Sequence, residues 1–348
     1  MGNKMIVVES RSQSFEEEVE SLKEILRVTK DELDQFNISS MYVDKEKILL
    51  SAAEKLFPVL DAYFDEFWEY FLSFKDHVFE EKRCFFNQIL YPYLGNSIET
   101  NTYIRSRPLG YAGDFVMMNY IYDYHDKRYL GDSLYSMLIN RYTCNINVAK
   151  SNIARKDYIK NSILQTLTVN KDAAILSVGC GSAREIIELL QEGKIEQGTF
   201  HLLDLEKKAV SYVQRQLSNL VYDKTKIDIH FYVMDLVEVI KNDQFLSLFA
   251  NVELLYASGV FDYLSVRVAR KIFARLFSIT KKDLIIFNMS LENARHRAYY
   301  EVFGDWRMYH RTKEELSEWG VDLTGNKIFK VENPVGCNSY WILKASKI

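Results

Sequence analysis

The stretch "SVGCGSARE", Ser177 to Glu185, closes an apolar run and opens an amphipathic one. Gly179 and Gly181 let a backbone turn tightly and come close to a ligand. The helix expected to start near Ala183 would offer that ligand its unbonded amides. Polar residues also end the next apolar runs: Asp204 in "FHLLDLE", Asp235 in "YVMDL", and Ser258 with Gly259 in "ELLYASG". A carboxylate at Asp204 can take both hydroxyls of a ribose, and one at Asp235, or the adjacent Leu236 amide, can read an adenine edge. Any one of these acids is explained by helix capping. Several polar ends following parallel strands point at one crevice.

A second chemical cluster is "RSRPLGYAGDFVMMNYIYD", Arg105 to Asp123. Arg105 and Arg107 offer forked donors for a carboxylate. Tyr111 offers a ring and a hydroxyl, and Asp114 an acid. Pro108, Gly110 and Gly113 make this a turn inside a region that otherwise reads as helix.

The elements that must position these residues divide by periodicity. Residues 12–93 carry apolar side chains at helical spacing, with Pro58 expected to kink or break the pattern. "SLYSMLINRYTCNINVAKSNIARKDYIKNSILQTL" reads as one long helix. From about Lys171, apolar β-type runs alternate with helical ones, which predicts a mostly parallel sheet with helices on both faces. "TGNKIFKVENPVGCNSYWILKAS" predicts a closing antiparallel hairpin. The expected organisation is a helical cap and substrate-binding domain over 1–150, with a lid at 105–123, and an α/β domain over 151–348.

Composition sets limits. With 48% hydrophobic and 26% charged residues and a net charge of -4, the chain reads as an ordinary globular protein whose main partner is not nucleic acid. A small-molecule substrate is the expected partner. The four cysteines and six histidines show no metal-ligand spacing, so no metal is expected, and free thiols point to a cytoplasmic protein. No signal peptide or membrane-spanning run is expected, and a homo-oligomer is left open.

A dinucleotide fingerprint needs a third small residue where this chain has Arg184, which disfavours NAD. The residues instead resemble class I S-adenosylmethionine (SAM)-dependent methyltransferases. "ILSVGCGSA", "FHLLDLE", "HFYVMDLVE" and "ELLYASGVFDYL" resemble that family's successive motifs, over roughly residues 160–348. The resemblance implies a Rossmann-like, seven-stranded methyltransferase core, with SAM as cofactor and S-adenosylhomocysteine (SAH) as product. It places Gly179 and Gly181 at the methionine moiety, Asp204 at the ribose, and Asp235 and Leu236 at the adenine, with Cys180, Leu205, Ser258 and Gly259 as further cofactor-binding residues. Many members carry an acid where this chain has Ser177; Glu185 is the candidate to replace it.

"RPLGYAGDFVMM" and "GDWRMYHRTKEEL" further resemble a bacterial subgroup that includes 3-hydroxypalmitic acid methyl ester (extracellular factor) synthases. That implies O-methylation of a small acceptor such as a hydroxy fatty acid carboxylate. Arg107 or Arg311 would orient the carboxylate, and Arg105 or Arg107 would serve the cofactor. An amine or phenol acceptor would need a base, for which Asp114, Tyr111, His125, His296 and His310 are the candidates. A non-catalytic SAM-binding regulator is the alternative of another class.

Overall fold

The computed structural model describes residues 14–36, 44–124, 130–249 and 251–348. Among the described residues seven helices precede the first strand: α1 (Phe15–Asp34), α2 (Lys45–Ser73), α3 (Asp76–Leu94), α4 (Glu99–Ser106), α5 (Phe115–Tyr122), α6 (Leu134–Thr143) and α7 (Asn147–Val169). The strands are β1 (Ala174–Val178), β2 (Gly198–Asp204), β3 (Ile227–Val233), β4 (Val252–Ala257), β5 (Asp283–Met289), β6 (Lys327–Glu332) and β7 (Tyr340–Lys347). They form one sheet in the order β3-β2-β1-β4-β5-β7-β6. β7 runs antiparallel to β5 and to β6, and the other pairs are parallel. This is the Rossmann-like seven-stranded methyltransferase fold, closing hairpin included.

The order explains the placement of the site. β1 pairs with β2 on one side and with β4 on the other, so the chain reverses direction across the sheet between β1 and β4. Ligands in open α/β sheets lie beyond the carboxyl ends of the strands at that reversal. Behind it, Leu176, Leu255, Ile286 and Leu343 pack from the strands against Phe273 and Leu276 of the helix Val266–Ile279.

The described residues form two compact units, and neither is a contiguous half of the chain. One contains the residues up to Thr102, 130–142 and His296–Asp305. The other contains 103–124, Thr143–Arg295 and Trp306–Ile348. The segment expected as a lid, together with the first turn of α7, therefore groups with the sheet; the boundary at 150 is not where the units divide.

The helical unit is built on an aromatic core. Phe15 meets Phe67 and Phe71 edge-on at 5.8 and 5.4 Å and stacks on Phe86 at 6.3 Å. Full burial of such a ring is worth about 2–3 kcal/mol. Ser14 starts α1 with a capping box closed by Glu17. α2 runs unbroken through Pro58, where a kink or break was expected. Leu56, Leu60, Phe64 and Phe67 bury the face around it, and that packing offsets a helix-interior proline's cost of about 3 kcal/mol.

The single long helix expected after 133 is two helices, because Ile146 is extended (ψ 160°) and starts α7 afresh. The run "NARHRAYYEVF" holds a π-helix, Ala298–Phe303.

Candidate functional site

A cleft of about 540 Å³ opens at the carboxyl ends of β1, β2 and β4, wholly within the sheet unit. Its floor is the glycine loop. Gly179 and Gly181 have φ of +66° and +53°, left-handed positions that glycine adopts cheaply, and Ala183, the N-cap of the next helix, has +42°. A side chain at Gly179 would also collide with Val260.

This turn brings the Gly181 amide onto Asp204. The amide donates to Oδ2 at 2.7 Å, and the Glu206 amide donates to Oδ1 at 2.8 Å. Each carboxylate oxygen keeps a further lone pair for a ligand. Burial pushes the Asp204 carboxyl up, and the two amides oppose that shift. Asp235 lies two residues beyond β3, exposed, its Oδ1 accepting from the Val237 amide at 2.7 Å. Leu205, Leu236, Ser258, Gly259 and Cys180 complete that side of the cleft.

Glu185 faces the same space from the first turn of the helix Arg184–Gln191. It is buried, and the Tyr256 hydroxyl donates to its Oε1 at 2.7 Å. Ser177 lies opposite Tyr256 across the β1–β4 ladder, so Tyr256 links the strand position that lacks an acid to the helix position that carries one. Arg184 forms an ion pair with Asp123 and takes no part in the cleft lining.

The segment before α5 contributes differently from the expectation. Leu109, Gly110, Tyr111 and Gly113 line the cleft, whereas Arg105, Arg107 and Asp114 do not. Asp114 is fully buried as the N-cap of α5, its Oδ1 accepting from the Val116 and Met117 amides and its Oδ2 from the Tyr103 hydroxyl at 2.8 Å. Gly113 is required by contact: a methyl there would collide with Trp306 and with the Tyr263 hydroxyl. Those two are joined, the Trp306 indole N–H donating to the Tyr263 hydroxyl at 2.8 Å. Burial pushes the Tyr111 phenol well up, so it stays un-ionised at neutral pH.

The remaining expected bases and cations lie elsewhere. Arg311 is buried and braces the turn after β4, donating to the carbonyls of Phe261 and Leu264 and to Asn288. His310 points Nδ1 at the Met308 carbonyl, 3.1 Å away, and is outside the cleft lining. His296 belongs to the helical unit, where its backbone N–H donates to Asp65. His125 lies outside the described residues.

Two residues that the sequence did not single out take prominent places. Arg155 of α7 is 4% exposed and lines the cleft beside Gly259. Its guanidinium lies 4.7 Å over the Tyr340 ring, and its buried Nε has no hydrogen-bond partner. Asp262, in the 3-10 turn Phe261–Tyr263 just after β4, is 2% exposed and also lines the cleft. The Met289 amide donates to its Oδ1 at 2.7 Å. Burial raises its carboxyl to about 6, against the pull of Arg155, the Met289 amide and Arg311. Asp262 stands within the quoted run "ELLYASGVFDYL" and was legible as a neighbour of that motif; Arg155, in "ARKD", carried no local signal.

Neither a protein-family model nor a curated protein matches the chain. Solved structures match it distantly. Magnesium protoporphyrin IX methyltransferase from Synechocystis PCC 6803 with bound SAH is 14% identical, with a TM-score of 0.40, over 57% of this chain and 86% of that one. A possible exported protein from Bordetella parapertussis is 12% identical, with a TM-score of 0.47, over 72% and 94%. Human N-acetylserotonin methyltransferase in complex with SAM is 12% identical, with a TM-score of 0.39, over 59% and 58%. At such values the fold is read from the strand order, and the chemistry from the cleft. Among the described residues no helix is long and apolar enough to cross a membrane, and no cluster of three or more His, Cys, Asp or Glu could hold a metal ion.

Proposed function

We propose that the chain is a SAM-dependent methyltransferase that acts on a small molecule. The observation that carries this is Asp204: a buried carboxylate at the sheet's reversal point, held by the amide of a left-handed glycine loop. The cleft suits the cofactor's charges. Asp204 takes the ribose hydroxyls, and Asp235 with Leu236 meets the adenine. Glu185 takes the methionine amine, and Arg155, the cation on the cleft lining, takes the methionine carboxylate through its guanidinium. Bound there, SAM supplies an electrophilic methyl group on a sulfonium, a cation that the surrounding acids and the Tyr111 ring favour. The protein's own contribution is alignment and exclusion of water. Trp306, Tyr263 and the 109–113 turn wall off the cleft for this purpose.

Methyl-ester formation on a hydroxy fatty acid, the finer expectation, rests on motif resemblance alone. The cofactor assignment is tested by calorimetry with SAM and SAH. Both bind the wild type, and Asp204→Ala weakens both about 100-fold, the loss of a buried group accepting two hydroxyls. Equal affinity in wild type and variant would remove Asp204 from the cofactor site. Tight binding of NAD instead would replace the cofactor.

A further inference from the structure

We infer that the acceptor is an un-ionised, ring-bearing compound whose hydroxyl gives its proton to Asp262, and not a carboxylate. The inference rests on the methyltransferase reading and deepens it.

The first ground is the charge of the cleft. Arg155 is the one cation among the described residues that line it, against Glu185, Asp204, Glu206, Asp235 and Asp262. With Arg155 engaged by the methionine carboxylate, a carboxylate acceptor would enter a site of like charge with no donor fork to receive it. The arginines expected to orient such an acceptor are committed elsewhere: Arg311 to the carbonyls behind the turn, and Arg107 to a position outside the lining.

The second ground is the geometry of Asp262. Its Oδ1 is fixed by the Met289 amide, and it accepts no other side-chain hydrogen bond among the described residues, so Oδ2 keeps its lone pairs. Arg155 and Arg311 face it with positive charge, and Tyr263 and Tyr340 are its other titratable neighbours. The two arginines favour its ionised form against the cost of burial. A base whose proton affinity lies just below neutral is ionised and ready at pH 7. The competing acid, Asp114, has both oxygens occupied by capping and by Tyr103.

The third ground is shape. Tyr111, Phe115, Tyr263 and Trp306 set aromatic surfaces on the cleft, with Leu264 and Met308 between them. Such walls suit a flat apolar body. In the step inferred, the acceptor oxygen bonds to the methyl carbon while the carbon–sulfur pair stays on sulfur. The hydroxyl proton passes to Asp262 Oδ2, and from there to water.

The test uses the full chain. Cresol, catechol and naphthol are compared with benzoate, cinnamate and a hydroxypalmitate for gain of one methyl by mass spectrometry, from pH 5 to 9. The phenols are methylated, with a rate limb near pH 6. Asp262→Asn keeps the acceptor for the Met289 amide, binds SAH within twofold of wild type, and loses about 100-fold or more in kcat together with that limb. Apart from turnover, carbon-13 NMR of labelled aspartate shows a carboxyl titrating near pH 6 that is missing in Asp262→Asn. Methylation of the acids, no methylation of the phenols, or a wild-type rate and profile in Asp262→Asn overturns the inference. A wild type that binds neither SAM nor SAH instead overturns the cofactor reading beneath it.

Discussion

Two glycine-bearing turns meet at the cleft, and they use their polar residues in opposite ways. The turn after β1 spends its backbone on Asp204 and leaves Glu185 and Asp204 facing the ligand space. The turn before α5 spends its acid, Asp114, on its own helix, and gives the cleft only Leu109, Gly110, Tyr111 and Gly113. Both look equally rich in recognition chemistry as sequence. The difference teaches that an acid just before an amphipathic run serves that run's free amides unless another element already meets them. At Ala183 the helix N-cap has no side-chain cap bond, and the nearby acids remain for the site.

The contrast can be broken by substitution. The largest effect is expected at Asp204→Ala, the hundredfold loss of SAM affinity described above, with a smaller stability cost of about 1 kcal/mol from the Gly181 and Glu206 amides that lose their acceptor. Asp114→Ala should do the reverse: about 2 kcal/mol of stability lost in urea denaturation, because two amides and the Tyr103 hydroxyl lose their acceptor. An intact fold with abolished turnover would return Asp114 to the acceptor site. Gly113→Ala should cost about 1.5 kcal/mol through overpacking against Trp306 and Tyr263, and should shift tryptophan fluorescence. Gly110→Ala isolates the backbone term, since nothing lies within 4 Å of the added methyl while φ is +93°. It should cost about 1 kcal/mol in the same denaturation assay. If Gly110→Ala proved worse than Gly113→Ala, strain and not contact would govern this turn.

Stability against pH isolates Asp262 among the buried acids of the cleft. Asp262 holds its proton more tightly folded, at about 6, than an unfolded aspartate near 3.8. Between those values the native state binds more protons than the unfolded chain, so wild-type stability should fall as pH rises through that window. Asp262→Asn should flatten this slope in thermal melts at pH 4 to 7. An identical slope in both would mean that Asp262 does not titrate there.

Much of the fold was legible because its signals are local. Alternating apolar runs and amphipathic helices from Lys171 onward correspond to β1 through β5 and the helices between them, and the Asn/Pro/Gly stretch before Tyr340 joins β6 to β7. Less local features were not legible. Pro58 is carried through α2 by packing, and the break at Ile146 leaves no strong composition signal.

The sequence by itself determined the strand-helix alternation, the glycine loop and the acids at the strand ends. Each depends on a residue type at a fixed offset from a strand, and in a parallel sheet every strand end reaches the same edge. Tertiary structure alone decided which cation and which further acid join them. Arg155 and Lys156 are neighbours on α7, yet Arg155 turns into the cleft while Lys156 pairs with Glu188 at 2.6 Å. Nothing local separates two adjacent cations on one helix. The choice is made by the rotation of α7 against the sheet, which follows from packing summed over the whole unit.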